Sequence, residues 1–266
     1  MCGIVGILGN HEVAPQLVEA LKRLEYRGYD SAGIATIDAD GRLERRRAVG
    51  KLVNLSDRLV HEPLTGKAGI GHTRWATHGA ATEGNAHPHR HGPVAVVHNG
   101  IIENYRALRE ELGRAGVATE TQTDTETVAL LCGEHLAAGL APLEAVRATL
   151  ARLQGAFALA FLFDGEDDLM IAARKGSPLA IGHGEGEMFL GSDAIALAPF
   201  TDRITYLEDG DHVVLTREGV EVYDAEGRPA HRETARIDVG ATAIDKAGHR
   251  HFMAKEIAEQ PRVVED

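Results

Sequence analysis

The second residue of the chain is a cysteine, in the opening sequence MCGIVGILG. Removal of the initiator Met1, which the small side chain of Cys2 favours, would place a thiol and a free α-amine on one residue. An α-amine titrates near about 7.7–8.0, so part of it is unprotonated at neutral pH and can act as a base. Nucleophiles activated by their own N-terminal amine are a known form of covalent catalysis. The alternative is that Cys2 only begins a buried strand as a small apolar residue.

Three short segments concentrate other reactive or ligand-shaping residues, namely YRGYDSAG (26–33), GHTRWATHG (71–79) and HNG (98–100). In the third, the side-chain amide of Asn99 is followed by the backbone N–H of Gly100. Two such donors side by side suit an oxyanion hole, which stabilises the negative charge of a tetrahedral intermediate. An Asn-Gly pair after a strand is also a common turn, so this segment alone does not establish a site.

The elements that must position these segments change in character along the chain. Apolar spacing predicts strands over 2–8, 31–38, 42–49, 68–75 and 93–100, and helices over 13–24, 52–61, 104–112, 124–136 and 142–153. Six short strands then follow between 156 and 224, without helices between them. This order predicts an α+β fold with two antiparallel sheets face to face and helices outside. A doubly wound parallel sheet fits poorly, because the second half lacks crossover helices.

Composition restricts the class of protein. The 266 residues carry a net charge of −12, and the only basic run, Arg45 to Arg47, is interpreted as a solvated strand edge. Nucleic-acid binding is therefore not expected. Neither a signal peptide nor an apolar run long enough to cross a bilayer is present, which predicts a cytoplasmic protein. With only two cysteines, the sequence offers no disulfide framework.

Six motifs occur in a fixed order: CGIVG, RGYDSAG, GHTRWATHG, NAHPH, VHNGIIENY and TDTE. Together they resemble the class II glutamine amidotransferases, and more narrowly the glutaminase domains of the glucosamine-6-phosphate synthase family. RGYDSAG and GHTRWATHG differ from the corresponding segments of phosphoribosylpyrophosphate amidotransferases. The resemblance runs from Cys2 to about Pro261. It implies an N-terminal nucleophile hydrolase with a four-layer αββα sandwich.

The same resemblance implies roles for individual residues. Cys2 would attack the side-chain amide of L-glutamine, with its own α-amine moving protons. Asn99 and Gly100 would stabilise the oxyanion, and a γ-glutamyl thioester would then be hydrolysed to glutamate. No cofactor is implied.

Further residues match the family's substrate pocket. Arg74 matches the arginine that binds the glutamine α-carboxylate, and Asp124 matches the acid that binds the ammonium. Thr77 and His78 match positions lining the pocket, and Trp75 begins its lid, where ammonia passes to the partner domain. Considered alone, Arg74 could equally form a surface ion pair, and Asp124 or Thr125 could be a helix N-cap.

The alternating histidines His87, His89 and His91 superficially resemble a metal-ligand tract. They lie on a loop without an accompanying cysteine or acidic pattern, and His87 falls in the family's NAHPH segment. We therefore expect no metal site, and we expect His87 to shape the pocket wall.

Residues 1–240 are predicted to form the glutaminase domain, and 241–266 a linker towards a C-terminal sugar isomerase half, which would bind fructose 6-phosphate and receive the ammonia. Two alternatives remain open. One is a glutaminase half that serves a different ammonia acceptor, and the other is a glutamine sensor without turnover.

Overall fold

A computed structural model describes residues 2–237, together with four helical positions, Ala254, Ile257, Ala258 and Gln260. The predicted linker, 241–266, otherwise lies outside the described residues. One antiparallel sheet has eight strands, which are β1 (Gly3–Leu8), β2 (Ser31–Ile37), β3 (Leu43–Val49), β4 (Ala68–Arg74), β9 (Ala180–His183), β10 (Met188–Gly191), β11 (Arg203–Tyr206) and β15 (Thr234–Arg236). A second has seven, which are β5 (His89–His91), β6 (Val94–Ile102), β7 (Gly155–Phe163), β8 (Met170–Lys175), β12 (His212–Thr216), β13 (Gly219–Tyr223) and β14 (Pro229–Ala230).

The two ends of the first sheet come from different parts of the chain. Its order is β15-β11-β9-β10-β1-β4-β2-β3, so β1 is central and pairs with both β4 and β10. The order of the second sheet is β14-β13-β12-β8-β7-β6-β5. The carboxyl end of β4 and the carboxyl half of β6, which carry GHTR and HNG, therefore belong to different sheets.

Helices cover the outer face of each sheet. The helices are α1 (Ala14–Lys22), α2 (Leu52–His61), α3 (Tyr105–Arg114), α4 (Asp124–Ala137), α5 (Pro142–Leu150) and α6 (Ala194–Leu197), with a 3-10 turn at Glu25–Arg27. Helices α1, α2 and α6 pack on the first sheet, and α3, α4 and α5 pack on the second. The layers are thus α-β-β-α, as predicted. In the described part of the chain, no helix combines the length and apolarity needed to cross a lipid bilayer.

Strand β7 shows how the sequence builds these layers. Phe157, Phe161 and Phe163 pack against the helices, whereas Ala158 and Ala160 face the other sheet. Successive side chains of a strand point to opposite faces, so this alternation places large side chains under the helices and small ones between the sheets. Both faces are buried, and for that reason the strand reads as one continuous apolar run.

The expectation of no helix among the later strands is wrong, because the short helix α6 lies between β10 and β11. The predicted elements otherwise appear with boundaries close to those expected, and four short strands were missed. These are β5, β9, β14 and β15, of which β5 lies in the segment 76–93 that shows no periodicity. Each has four residues or fewer, and so short a strand leaves little pattern to detect.

Arg45 to Arg47 lie on the edge strand β3, as interpreted, but their side chains are half-buried and not simply solvated. Arg45 donates through Nη1 to the carbonyl oxygen of Pro88 at 3.0 Å, and Arg47 Nη1 donates to those of Gly84 and Ala86, both at 3.0 Å. Burial lowers the pKa of Arg45 to about 10. These side chains hold the loop before β5 against the edge strand β3.

Candidate active site

A narrow pocket opens where the start of β1, the end of β4 and the start of α4 meet. Its empty volume is about 280 Å³, part of which is open to solvent. It is lined by Cys2, Arg74, Trp75, Thr77, His78, His87, His98, Gly100, Thr123, Asp124 and Thr125. Of the residues predicted to form the site, only Asn99 is not part of this lining, and it contacts the backbone of Cys2.

Cys2 is half-buried at the entrance to β1. The backbone N–H of Trp75 donates to Cys2 Sγ at 3.2 Å. Burial raises the pKa of the Cys2 thiol above its ordinary value, and the Trp75 hydrogen bond and the charge of Arg74 only partly oppose this effect. The thiol is therefore protonated at neutral pH, so nucleophilic attack requires a base to take its proton.

Asn99 and Gly100 lie on β6, across the sandwich from β1. Asn99 Nδ2 donates to the carbonyl oxygen of Cys2 at 3.2 Å, which leaves its second N–H for another acceptor. Gly100 has a φ of +124°, and a Cβ there would lie 2.1 Å from the carbonyl oxygen of Ala156. Any other residue at position 100 would be strained and would clash with β7, so glycine is required by the backbone path itself.

Arg74 ends β4 and is buried, with 3% of its surface exposed. Its Nη1 donates to the carbonyl oxygen of Ala80 at 3.1 Å, and its Nη2 donates to those of His78 and Gly79. The surface ion pair considered from the sequence is thus wrong. The guanidinium instead joins the pocket to the loop that follows β4.

That loop is also held from its far side. Ala80 N donates to Gln122 Oε1 at 3.1 Å, and Asn85 Nδ2 donates to Ala80 O at 3.0 Å. Trp75 at its start is 46% exposed, and its ring meets the ring of Tyr29 edge to face at a centroid distance of 6.0 Å. The loop is therefore anchored at several points, and Trp75 at its start is exposed.

Asp124 lies in the first turn of α4 but does not cap the helix. The N-cap is Thr123, whose side chain accepts from Glu126 N at 3.4 Å. The prediction of a cap at Asp124 or Thr125 is therefore wrong. Asp124 Oδ2 accepts from Ile102 N at 2.8 Å, and the positive end of the helix macrodipole favours its negative charge.

The histidines of the NAHPHRH tract have separate partners. His87 Nε2 lies 2.7 Å from Thr125 Oγ1, His89 Nε2 lies 2.9 Å from Thr123 Oγ1, and His91 Nε2 lies 3.0 Å from Glu134 Oε1. Among the described residues, no group of three or more His, Cys, Asp or Glu side chains is placed to hold a metal ion.

His98 of the HNG segment and two threonines of the TDTE motif complete the pocket wall. His98 Nδ1 lies 2.9 Å from Thr125 Oγ1, the hydroxyl that also meets His87. Burial lowers the pKa of His98 and of His87, so both rings are neutral at pH 7. The sequence pointed to Thr123 only through its place in TDTE, and to Thr125 only through TDTE and as a candidate helix cap.

Comparison with known proteins gives the class. A protein-family model described as a glutamine amidotransferase domain matches residues 72–199 of the sequence. Glutamine phosphoribosylpyrophosphate amidotransferase from B. subtilis has a similar structure, with a TM-score of 0.73, 27% sequence identity, and coverage of 84% of this chain and 49% of that one. The chain belongs to the class II glutamine amidotransferases.

Within that class, the sequence is similar to one kind of enzyme along nearly its whole length. It is 63% identical over 264 residues to a glutamine–fructose-6-phosphate aminotransferase [isomerizing] from Brucella abortus, covering 99% of this chain. The identity to the enzyme of the same description from Bradyrhizobium diazoefficiens is also 63%, over 265 residues. The chain spans 43% of the length of these curated relatives.

Proposed function

We propose that this chain, once Met1 is removed, hydrolyses L-glutamine to glutamate and ammonia with Cys2 as the nucleophile. The observation that carries the proposal is the convergence of a thiol, a buried guanidinium and a buried carboxylate on one narrow pocket. Glutamine has an α-carboxylate for Arg74 and an α-ammonium for Asp124. Its side-chain amide would then extend towards Cys2.

The chemistry follows from the protonated state of the thiol. The α-amine of Cys2 takes the thiol proton as Sγ attacks the amide carbon, and the carbonyl oxygen becomes an oxyanion. The free N–H of Asn99 and the N–H of Gly100 stabilise that charge, and one such donor typically contributes about 2.7–4 kcal/mol. The amine passes its proton to the departing nitrogen, ammonia leaves, and a γ-glutamyl thioester remains.

Water completes the cycle. The α-amine removes a proton from a water molecule, which attacks the thioester carbon, and the second tetrahedral intermediate uses the same two donors. Collapse returns the proton to Sγ and releases glutamate. His98 is not required as a base, because burial keeps its pKa low and the amine occupies that role.

Binding of glutamine uses charges that are already fixed in place. Arg74 offers its positive charge and its remaining N–H groups to a carboxylate, while hydrogen bonds from its Nη1 and Nη2 hold the loop 78–80. Thr77 and His78 lie on this loop and line the same pocket. The loop from Trp75 onwards therefore acts as the lid of the site.

In the longer protein, we propose that the ammonia passes to a C-terminal sugar isomerase half, which uses it to convert fructose 6-phosphate to glucosamine 6-phosphate. The names of the relatives at 63% identity support this assignment. A different acceptor is the alternative, and ammonia-transfer assays on the full-length protein with candidate sugar phosphates distinguish the two.

The test of the glutaminase itself uses two forms of the chain. Intact-mass measurement identifies the form without Met1, and that form should release glutamate from glutamine. The form that retains Met1 should not, because its amine is acylated. Stabilisation of the processed chain by glutamine without any hydrolysis would instead indicate a glutamine sensor.

A further inference from the structure

We propose that His72 positions the oxyanion-binding amide of Asn99 by holding its oxygen, so that its nitrogen faces Cys2. His72 touches none of the reacting atoms, and it would act only through Asn99. This inference rests on the function proposed above and deepens it.

The first step is the tautomer of His72. Its Nε2 lies 3.0 Å from the backbone carbonyl oxygen of His98 and 3.0 Å from Asn99 Oδ1. A carbonyl oxygen can only accept a hydrogen bond, so Nε2 must carry a proton. Burial lowers the pKa of His72 to about 3, and the ring therefore stays neutral with this single N–H.

The second step is the orientation of the Asn99 amide. The Asn99 atom that faces a ring N–H has to be an acceptor, which is the oxygen and not the nitrogen. Nδ2 then points to the other side, where it meets the carbonyl oxygen of Cys2 at 3.2 Å. A flipped amide would instead present an oxygen to the developing oxyanion and repel it. The backbone carbonyl of His98 thus selects the tautomer, and the tautomer selects the catalytic orientation.

The third step is the rigidity of His72 itself. It is fully buried in β4, where it lies opposite Ile4 of β1 and Gly33 of β2. Its ring packs on that of His87 at a centroid distance of 4.1 Å and an interplanar angle of 30°. Position 33 is glycine because a Cβ there would lie 2.0 Å from the carbonyl oxygen of His87. His72 is therefore a fixed donor and Asn99 is its dependent partner.

A purely structural role is the competing explanation, since the hydrogen bond joins β4 of one sheet to β6 of the other. The two roles differ in what they predict for Cys2. Alkylation by iodoacetamide displaces iodide without forming an oxyanion, so it needs the thiol and its surroundings but not the Asn99 donor. Loss of packing would change alkylation and glutamine binding together with turnover.

The experiment measures kcat, KM for glutamine and the Cys2 alkylation rate in the Met1-free chain. His72→Phe keeps a ring against His87 but removes the donor, and His72→Gln retains an N–H. We expect His72→Phe to lower kcat by about 10- to 100-fold. This decrease should not exceed the decrease in kcat that follows from removing an oxyanion donor altogether. KM and the alkylation rate should stay within about twofold, and His72→Gln should recover most of kcat. His183→Gln is the matched control, because His183 bonds Thr205 at 2.8 Å away from the pocket.

The coupling to Asn99 is tested with Asn99→Ala. If His72 acts through Asn99, the double variant should be no slower than Asn99→Ala alone, whereas independent effects would multiply. Should His72→Phe fail to fold, His72→Met provides a flexible apolar replacement without a donor. An unchanged kcat, a parallel fall in alkylation, or multiplying effects in the double variant would each overturn the inference. A wild-type chain that releases no glutamate would overturn the proposed function, and the inference with it.

Discussion

The two cysteines of the chain differ in burial and in the polarity of their surroundings, because Cys2 is half-buried and Cys132 is buried. Cys2 lies beside the N–H of Trp75, a buried arginine and a buried carboxylate. Cys132 lies within α4, packed among the apolar side chains between that helix and the second sheet. Burial raises the pKa of both thiols, and for Cys132 it does so to about 12. The pKa of the thiol alone therefore does not separate a candidate nucleophile from an inert residue.

The difference lies in what surrounds each sulphur atom. At Cys2, β1 and β4 of one sheet and β6 of the other bring polar groups to the same end of the sandwich. At Cys132, the neighbours are mostly apolar side chains of the core between the helices and the second sheet, with the hydroxyl of Thr149 beside the thiol. Whether a thiol can act as a nucleophile depends on its position in the tertiary structure. It needs a substrate pocket, oxyanion donors and a base in addition to the sulphur atom.

The largest effect should come from removing each sulphur in turn. Cys2→Ala should lower glutaminase turnover by more than about 10⁴-fold, as expected for loss of a nucleophile. Cys132→Ala should leave turnover within about twofold, because its sulphur touches no pocket residue among those described. Glutamate release by the two purified variants is the measurement. Substantial turnover by Cys2→Ala would place the nucleophile elsewhere.

The next largest difference between the two thiols should be in their rates of alkylation. With Met1 retained, the Cys2 rate with iodoacetamide should be slow at pH 7 and rise by about tenfold per pH unit, because the raised pKa leaves little thiolate at neutral pH. Cys132 should stay unmodified until the chain is denatured. Peptide mass mapping after timed labelling reports both sites. A Cys2 rate independent of pH between 7 and 9 would contradict the raised pKa.

A smaller effect should follow from changing the shape of the cation that Cys2, but not Cys132, has beside it. Arg74→Lys removes the planar fork and should lower kcat/KM for glutamine by about 10- to 100-fold, since a hydrogen bond to a charged group contributes about 1.5–3 kcal/mol. The loss should appear mainly in KM. Arg152→Lys, at an exposed ion pair with Glu111, is the control. Equal losses in the two variants would remove Arg74 from the substrate site.

The smallest effect concerns stability. Cys132→Ala deletes one buried atom and should lower the free energy of unfolding by about 1 kcal/mol, similar to other small deletions in a core. Urea unfolding of the wild type and the variant measures it. A loss above about 3 kcal/mol would mean that Cys132 stabilises the helical layer by more than its packing alone.

Local pattern was sufficient for much of the fold and part of the site. The apolar run AFALAFLF predicted a strand over 156–163, and the helical spacing predicted α2 with its observed bounds, Leu52–His61. The six ordered motifs predicted the family, which the comparisons confirm. The catalytic and binding roles of Cys2, Asn99, Gly100, Arg74 and Asp124 stay predictions, although the structure places these residues together.

Other features were beyond local pattern because they depend on residues far apart in sequence. The cap of α4 is an exception, because Thr123 accepts from Glu126 N three residues along the chain, and Thr-x-x-Glu is a local pattern typical of such a cap. Arg45 and Arg47 are held by a loop about 40 positions away, as their sequence separations from Pro88 and Ala86 are 43 and 39.

The sequence by itself determined which side chains are apolar on which face, where the elements begin, and which family the motifs match. Those properties are local, because they depend on backbone preference and on residues a few positions apart. Only the tertiary structure decided that His72 of one sheet meets Asn99 of the other, and that the buried Arg74 anchors the loop after β4. Such contacts depend on strand register and on how the two sheets stack, which are set by the packing of the whole core.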